Sequence, residues 1–291
     1  MISIMKALYF GIVTDQIRPW PTLLERWLQF EALGFDSVWD SDHFFQPSWS
    51  AEPNFEAWTV LAALAASTKR IRIGVLVSSN TFRHPALLAK QAVTVDHISR
   101  GRLDLGLGAG WFEAEHAMFG IPFPDAAERV GRFREAVEIV DQLLRNDETT
   151  YEGQYYQVRQ ARFRPRPIQQ PRPPLTLGGH KPRMLRVVAK YADVWNSFGT
   201  VEEIRTRNET LNELCAVSGR DPHTIRRSLY CPTSMKPSPS ASVEAFHDVI
   251  GRYREAGIQE FILDLTGAAH FSVVERIATD AIPALSAPVS R

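Results

Sequence analysis

Four short stretches of this chain pair reactive residue types with small or polar neighbours. Ser41-Asp42-His43-Phe44 sets a histidine beside a carboxylate. Histidine titrates nearest neutrality, so His43 can take or give a proton there; a loop histidine held by an acidic neighbour has the same spacing. Ser78-Ser79-Asn80, followed by Arg83-His84, offers polar groups and a cation suited to carbonyl and phosphate oxygens. Asn80 or Thr81 could equally cap the helix that follows. Gly106-Leu107-Gly108-Ala109-Gly110 runs into Trp111-Phe112. Such glycines let a flat ring approach the backbone, and the aromatics can wall a pocket; tight turns and core packing use the same residues. Gly178-Gly179 precedes a helix start near Pro182, and N–H groups at a helix start bind phosphate. A tight turn is the other reading, and Asn196 falls where it could complete that pocket.

Other chemistries lack their signatures. A dinucleotide fingerprint would need glycine where Trp111 stands. There is no GxSxG elbow, P-loop or His-x-His, and neither Cys215 nor Cys231 belongs to a CxxC pair. No metal site is expected. With 33 basic and 33 acidic side chains the chain carries no net charge, which argues against nucleic acid and anionic membranes as partners. Two cysteines make no disulfide framework, the stretch before Asp15 is too short for a secretory signal, and no apolar run reaches the roughly 18 residues of a membrane span. A cytoplasmic protein with a small-molecule substrate is expected.

The elements that position these stretches alternate in type. Residues 6–13 and 35–39, then IRIGVLVSS, GRLDLGLGAG, PLTLGG, DVWNSFG, TIRRSLYCPTS and IQEFILDLTG, read as strands. Between them lie helical periods, the clearest being AAERVGRFREAVEIVDQLLRN, with Val130, Phe133, Val137, Val140 and Leu144 at spacings of three and four. Eight strand–helix units predict a (β/α)8 TIM barrel in one domain, residues 1–291. The rhythm breaks at about 146–174, where YEGQYYQV suggests a hairpin and FRPRPIQQPRPP excludes regular helix or central strand; this segment is expected to leave the barrel. In such a barrel the chemistry gathers at the carboxyl ends of the strands, where all four stretches fall.

At those ends the sequence resembles the luciferase-like monooxygenase superfamily, in its coenzyme F420-dependent oxidoreductase branch. The resemblance rests on FEALGFDSVWDSDHF, IRIGVLVSSNTFRHPALLAKQAVTVDHISRGRLDLGLGAGWFEAEHAMFGIPFP, ARFRPRPIQQPRPPLTLGG and VAKYADVWNSFG, in that order over most of residues 6–200. It implies a bacterial-luciferase-like barrel that holds a deazaflavin at the strand tips and moves a hydride to or from an unsaturated or carbonyl small molecule. FMN, with a partner reductase and oxygen, is the alternative cofactor, and a non-catalytic flavin-binding barrel is a further one. His43 is implied as the catalytic acid or base. Asp42, Leu76, Val77, Ser78, Asn80, Arg83, Gly108, Ala109, Gly110, Gly178, Gly179 and Asn196 are implied at the cofactor, with a non-proline cis peptide at Leu76–Val77. Trp49, Trp111 and Phe112 are expected to wall the substrate pocket. The family's sugar-phosphate dehydrogenases carry a glutamate where this chain has Trp111, so a less polar substrate than a sugar phosphate is expected. A homodimer and a separate cofactor reductase are implied as partners.

Overall fold

The computed structural model describes residues 8–14, 16–45, 54–265 and 271–286. Its strands in chain order begin with β1 (Tyr9–Val13), β2 (Ser37–Asp40), β3 (Arg72–Val75), its two-residue continuation β4 (Ser78–Ser79), and β5 (Leu103–Gly108). An antiparallel hairpin follows, β6 (Glu148–Glu152) with β7 (Gln157–Arg162). Then come β8 (Leu175–Gly178), β9 (Val194–Ser197), β10 (Arg226–Cys231) and β11 (Glu260–Asp264). Apart from the hairpin all pair in parallel, in the order β3-β2-β1-β11-β10-β9-β8-β5, and β3 pairs back onto β5. That last pairing closes the sheet into the predicted eight-stranded (β/α)8 barrel, β3 and β4 counting as one interrupted strand.

The helices α1 (Trp20–Ala32), α2 (Ala57–Ser67), α3 (Pro85–Ile98), α4 (Glu113–Met118), α5 (Ala126–Arg145), α6 (Pro182–Tyr191), α7 (Val201–Val217) and α8 (Val243–Glu255) wrap the outside. A last helix, α9 (Phe271–Arg276), passes through a π turn into α10 (Ile282–Ser286). Their starts follow from the sequence. Glu56, Asp125 and Thr200 accept first-turn N–H groups, and Thr200 with Glu203 forms a full capping box. Pro85 opens α3 as predicted. The cap there is His84, whose Nδ1 accepts from Ala86 N at 3.2 Å, rather than Asn80 or Thr81.

The core between barrel and helices is one large cluster that includes Phe10, Trp27, Phe133, Trp195 and Phe246. A smaller cluster, Val13, Trp39 and Ile262, lies apart from it and fills the barrel's own interior. Trp39 is 1% exposed and donates to Ser37 Oγ at 2.9 Å. It fits because its neighbours on both sides are glycines: a Cβ at Gly74 would lie 2.5 Å from the Trp39 ring, and one at Gly11 would lie 3.3 Å from its Nε1. The indole therefore plugs the barrel beneath the strand ends.

The 146–174 segment contains the expected hairpin, but its proline-rich half stays against the barrel. Arg166 donates to the carbonyls of Leu143, Leu144 and Asn146 at the end of α5. Lys90 and His97 of α3 reach the carbonyls of Arg164 and Arg166. Arg172, 6% exposed, bonds Asp141 and Asp193. The dense basic stretch thus caps helix C-termini at the face remote from the strand tips, which suits the local dipoles.

Candidate active site

At the tip of β2 two buried carboxylates with different tasks surround His43. Asp42, 3% exposed, accepts Ser79 N at 2.7 Å and takes a two-pronged hydrogen bond from Arg83, at 2.5 and 2.8 Å. Arg83 also lies 3.4 Å from Glu56. Asp42 and Arg83 were both expected at the cofactor. In this structure the two side chains pair with each other, and they lock the β2 tip to β4. The Arg83 guanidinium is held above its usual pKa by Asp42 and Glu56, against the opposing effect of burial.

His43 faces the other way. Its Nδ1 lies 3.0 Å from Glu115 Oε2, and its side chain is 17% exposed. Glu115 sits in the first turn of α4, is fully buried, and also accepts Phe44 N and Phe45 N through Oε1, at 2.5 and 2.8 Å. A carboxylate at Nδ1 is an acceptor, so in the neutral imidazole Nδ1 carries the hydrogen and Nε2 keeps the lone pair. Trp111 and Phe112 stand edge-on to this imidazole, with centroids 5.8 and 6.1 Å away, and stack on each other at 5.3 Å. Trp111 is 65% exposed, so it forms a rim rather than core. Trp49, the third expected wall, lies outside the described residues.

Between β3 and β4 the Leu76–Val77 peptide is cis, at the bond expected. Ser78, expected at the ring's polar edge, is fully buried and accepts from Trp58 Nε1 at 3.1 Å. Strand alternation turns its side chain toward the helix layer. Ser79 turns the other way. It begins a chain in which Ser79 Oγ lies 2.7 Å from Thr81 Oγ1, and Thr81 Oγ1 lies 2.6 Å from His116 Nε2. His116 Nδ1 faces the Phe112 carbonyl at 2.8 Å and must donate to it; in the neutral ring Nε2 then accepts from Thr81, and both hydroxyl protons point toward the histidine. Asn80 Nδ2 reaches Tyr156 Oη at 3.3 Å.

The glycines at the tips of β5 and β8 serve a purpose other than bare access. A Cβ at Gly108 would lie 2.5 Å from Val77 Cγ2, one at Gly178 3.2 Å from the same atom, and one at Gly106 3.3 Å from Val77 Cγ1. Gly108 and Gly178 make room for Val77, while at Gly106 the closest approach to where a Cβ would stand is the Val75 carbonyl oxygen. Gly110, at φ +80°, packs on Ser79 and Thr81, where a Cβ would meet Oγ atoms at 2.9 and 2.7 Å. Ala109 packs against the outer core.

Beyond β8, Gly179 takes φ +135° and its carbonyl accepts from Trp195 Nε1 at 2.7 Å. Among the described residues no side chain caps the start of α6, so its first-turn N–H groups stay open. His180 stands beside them, its pKa lowered by burial and by Arg207 and Lys181. Asn196 donates to Ser228 Oγ at 2.9 Å along the barrel's inner face.

Sequence reasoning missed three groups here. Glu115 had no distinguishing mark beside Glu113; only the α4 turn selects it. Tyr230 and Asp264 lie on neighbouring strands with their side chains at the mouth, the Tyr230 hydroxyl donating to Asp264 Oδ2 at 2.5 Å. Tyr230 packs on the inner cluster beside Leu76. Burial and the Asp264 charge push its phenol far above the ordinary range. The phenol therefore stays protonated and donates to Asp264.

The model of the luciferase-like monooxygenase family matches residues 8–281. The F420-dependent glucose-6-phosphate dehydrogenase of Amycolatopsis mediterranei is 37% identical over 173 residues, 58% of this chain and 50% of that protein. The phthiodiolone/phenolphthiodiolone dimycocerosates ketoreductase of Mycobacterium bovis is 30% identical over 249 residues, 76% of this chain and 64% of that protein. The chain thus spans only part of the curated relatives it matches, between 41% and 66% of their length. An F420-dependent secondary alcohol dehydrogenase, solved with an F420-acetone adduct, superposes with a TM-score of 0.82 at 20% identity, covering 96% of this chain and 99% of that one. That last likeness is one of fold.

Proposed function

The chain belongs to the luciferase-like monooxygenase family, and from that premise we propose that it is an F420-dependent oxidoreductase acting on a carbonyl or unsaturated small molecule, or on the corresponding reduced one. The observation that carries the proposal is the His43–Glu115 pair at the barrel mouth, a histidine held in one tautomer with its basic nitrogen free of that partner. The similarity to F420-dependent relatives supports the choice of cofactor.

The residues present fit such a group. The uncapped start of α6 after Gly178-Gly179 suits a phosphate. The inner face of β8 to β10 offers Thr176, whose buried Oγ1 has no partner among the described residues, and Asn196. Leu76, Val77, Gly108, Ala109, Gly110 and Asn80 would line the ring's side of the mouth. When bound, the deazaflavin would supply two-electron hydride chemistry. The protein's part is to bind, orient and manage the proton. His43 Nε2 accepts the proton of a substrate alcohol, or in the reverse direction returns it to the nascent alkoxide. Glu115 stabilises the imidazolium formed on the way. Trp111 and Phe112 exclude water and favour a substrate with an apolar face beside its reactive carbon.

A homodimer, a partner that recycles the cofactor, and a cytoplasmic location belong to the same proposal; light scattering tests the first. Among the described residues no helix is long and apolar enough to cross a membrane. The test of the whole reading is a parallel fluorescence titration of cofactor-free protein with F420 and with FMN. Micromolar or tighter F420 binding with weak FMN binding is expected, and the reverse preference overturns it.

A further inference from the structure

Helix α4 fixes a second histidine. His116, 1% exposed, follows Glu115 in the chain and sits between the rings of Phe82 and Phe123, with centroids 4.8 and 4.7 Å away. Among the described residues it has two polar contacts: Nδ1 lies 2.8 Å from the Phe112 carbonyl, and Nε2 lies 2.6 Å from Thr81 Oγ1. Thr81 Oγ1 in turn lies 2.7 Å from Ser79 Oγ. Position 110 must be glycine for this row to stay compact, since a Cβ there would crowd both hydroxyls. The proton chemistry proposed for His43 uses none of these groups.

The direction of every hydrogen in this row follows from one end. A carbonyl only accepts, so the neutral His116 ring carries its hydrogen on Nδ1 and presents the Nε2 lone pair to Thr81. Thr81 has one hydroxyl hydrogen, which Nε2 takes, so Thr81 Oγ1 meets Ser79 only as an acceptor. Ser79 spends its single hydrogen on Thr81 and keeps a lone pair. The opposite order would need the hydrogen on Nε2 and would set a bare Nδ1 against the Phe112 carbonyl, two acceptors 2.8 Å apart. The strand alternation that turns Ser78 to Trp58 puts the Ser79 side chain on the mouth side of β4, beside Gly110. An ordinary serine hydroxyl rotates to donate or accept as its neighbour requires. Ser79 Oγ is instead held as an acceptor, and it becomes a donor only if the row breaks.

A deazaflavin takes up a hydride and a proton on reduction, so a ring nitrogen that accepts hydrogen bonds in the oxidised form becomes an N–H donor in the reduced one. A fixed acceptor satisfies the N–H, whereas against the oxidised nitrogen it leaves two acceptors facing each other. We propose that Ser79, polarised through Thr81 by His116, reads this difference and favours the reduced cofactor over the oxidised one. Ser79 meets the ring edge; Thr81 and His116 are positioning residues that act through it. The inference rests on the F420 reading above and adds to it a preference between redox states, separate from the proton that His43 handles.

The experiment is a set of anaerobic calorimetric titrations of cofactor-free protein with oxidised and with reduced F420. It is run on wild type, Thr81→Val, Thr81→Ser and His116→Phe, with melting temperatures as the check on folding. The quantity read is the ratio of the two affinities. Thr81→Val and His116→Phe free the Ser79 hydroxyl to turn, so the ratio should shift toward the oxidised form by about 5–50-fold, the worth of one mismatched hydrogen-bonding group. Thr81→Ser keeps a hydroxyl in the row and should hold the wild-type ratio. Proton–nitrogen correlation spectra of cofactor-free wild type should show hydrogen on His116 Nδ1 and none on Nε2. Two results overturn the proposal and leave the F420 reading standing. One is a hydrogen on Nε2 in the wild type. The other is an unchanged ratio in Thr81→Val, with any loss falling equally on both redox forms, as it would if the row only braced the loop. If His116→Phe does not fold, the two Thr81 variants decide alone. If neither form of F420 binds to wild type, the F420 reading fails and this proposal with it.

Discussion

Replacing Glu115 by Gln tests whether the carboxylate sets the chemistry of His43 or only holds a loop. Glu115 is fully buried and accepts three hydrogen bonds, two from backbone N–H groups and one from the imidazole. In Glu115→Gln the amide oxygen can keep the two backbone donors, and the amide nitrogen then faces His43 Nδ1. An N–H cannot accept from another N–H, so the imidazole must give up the Nδ1 hydrogen and carry it on Nε2. The base is then a donor at the atom where it has to accept. General-base assistance is worth about 10²–10⁴ in rate, and a wrong histidine tautomer in a hydrolase triad costs about 10⁴. A loss of about 10²–10³ in kcat is expected with whichever of glucose 6-phosphate, a secondary alcohol or an enone the wild type turns over. F420 affinity should stay within about threefold. Long-range proton–nitrogen correlation spectra read the tautomer directly and need no substrate: Nδ1–H in wild type, Nε2–H in the variant. Glu115→Ala has a different signature. It strands the two backbone donors at about 1–3 kcal/mol each, so it should lower the melting temperature sharply. If Glu115→Gln keeps the Nδ1–H tautomer and full turnover, Glu115 is a loop clamp and His43 owes it nothing chemically.

Two further predictions concern stability. Asp40 is buried at the β2 tip, neither of its oxygens has a hydrogen-bond partner among the described residues, and burial with the nearby Asp42 and Glu56 raises its pKa well above the usual carboxylate range. The folded chain therefore keeps a proton that the unfolded chain releases above pH ~4, so stability falls as pH rises from there to the raised folded value, by about 1.4 kcal/mol per pH unit. Asp40→Asn should flatten this dependence and melt higher than wild type at pH 8; parallel pH slopes in thermal melts would refute it. At the β5 tip, Gly108→Ala should cost about 1–3 kcal/mol, because its Cβ meets Val77 Cγ2 at 2.5 Å. Adding Val77→Ala should recover part of that loss, and urea midpoints of the double-mutant cycle measure the coupling. A Gly108→Ala cost below about 0.5 kcal/mol would mean that Val77 yields freely.

What the sequence conveyed depended on whether a feature repeats or converges. The barrel was legible because eight strand–helix units repeat one pattern, and the helix starts at Pro85 and near Pro182 follow from local residue chemistry. His43 was legible because it stands three residues past a strand tip. Partners brought together from distant positions were not. Nothing in the sequence pairs Arg83 with Asp42, 41 positions away, as the fold does. Ser78 and Ser79 are indistinguishable as letters; strand alternation sends one to Trp58 and the other toward Thr81. Glu115 meets His43 across 72 positions and no periodicity reports it. The glycines of β5 and β8 signalled close approach, and Val75 and Val77 of the same chain are among the groups that approach.

The two carboxylates around His43 also explain how one loop histidine acquires a fixed aim. Asp42 binds the Ser79 backbone and Arg83, so the residue before His43 is tied to the neighbouring strand. Glu115 binds the backbone N–H groups of Phe44 and Phe45, so the residues after it are tied to α4. His43 is pinned at both chain neighbours and at Nδ1, by groups already satisfied within the chain. Its Nε2 therefore points where it does independently of any ligand, and no part of the binding energy has to be spent on orienting it. Preorganisation of this kind favours the charge that forms during reaction, because the supporting dipoles need not move. It also separates the roles cleanly: loss of the Asp42–Arg83 clamp should loosen the tip and weaken several functions together, whereas loss of the Glu115 charge should alter the proton chemistry of His43 alone.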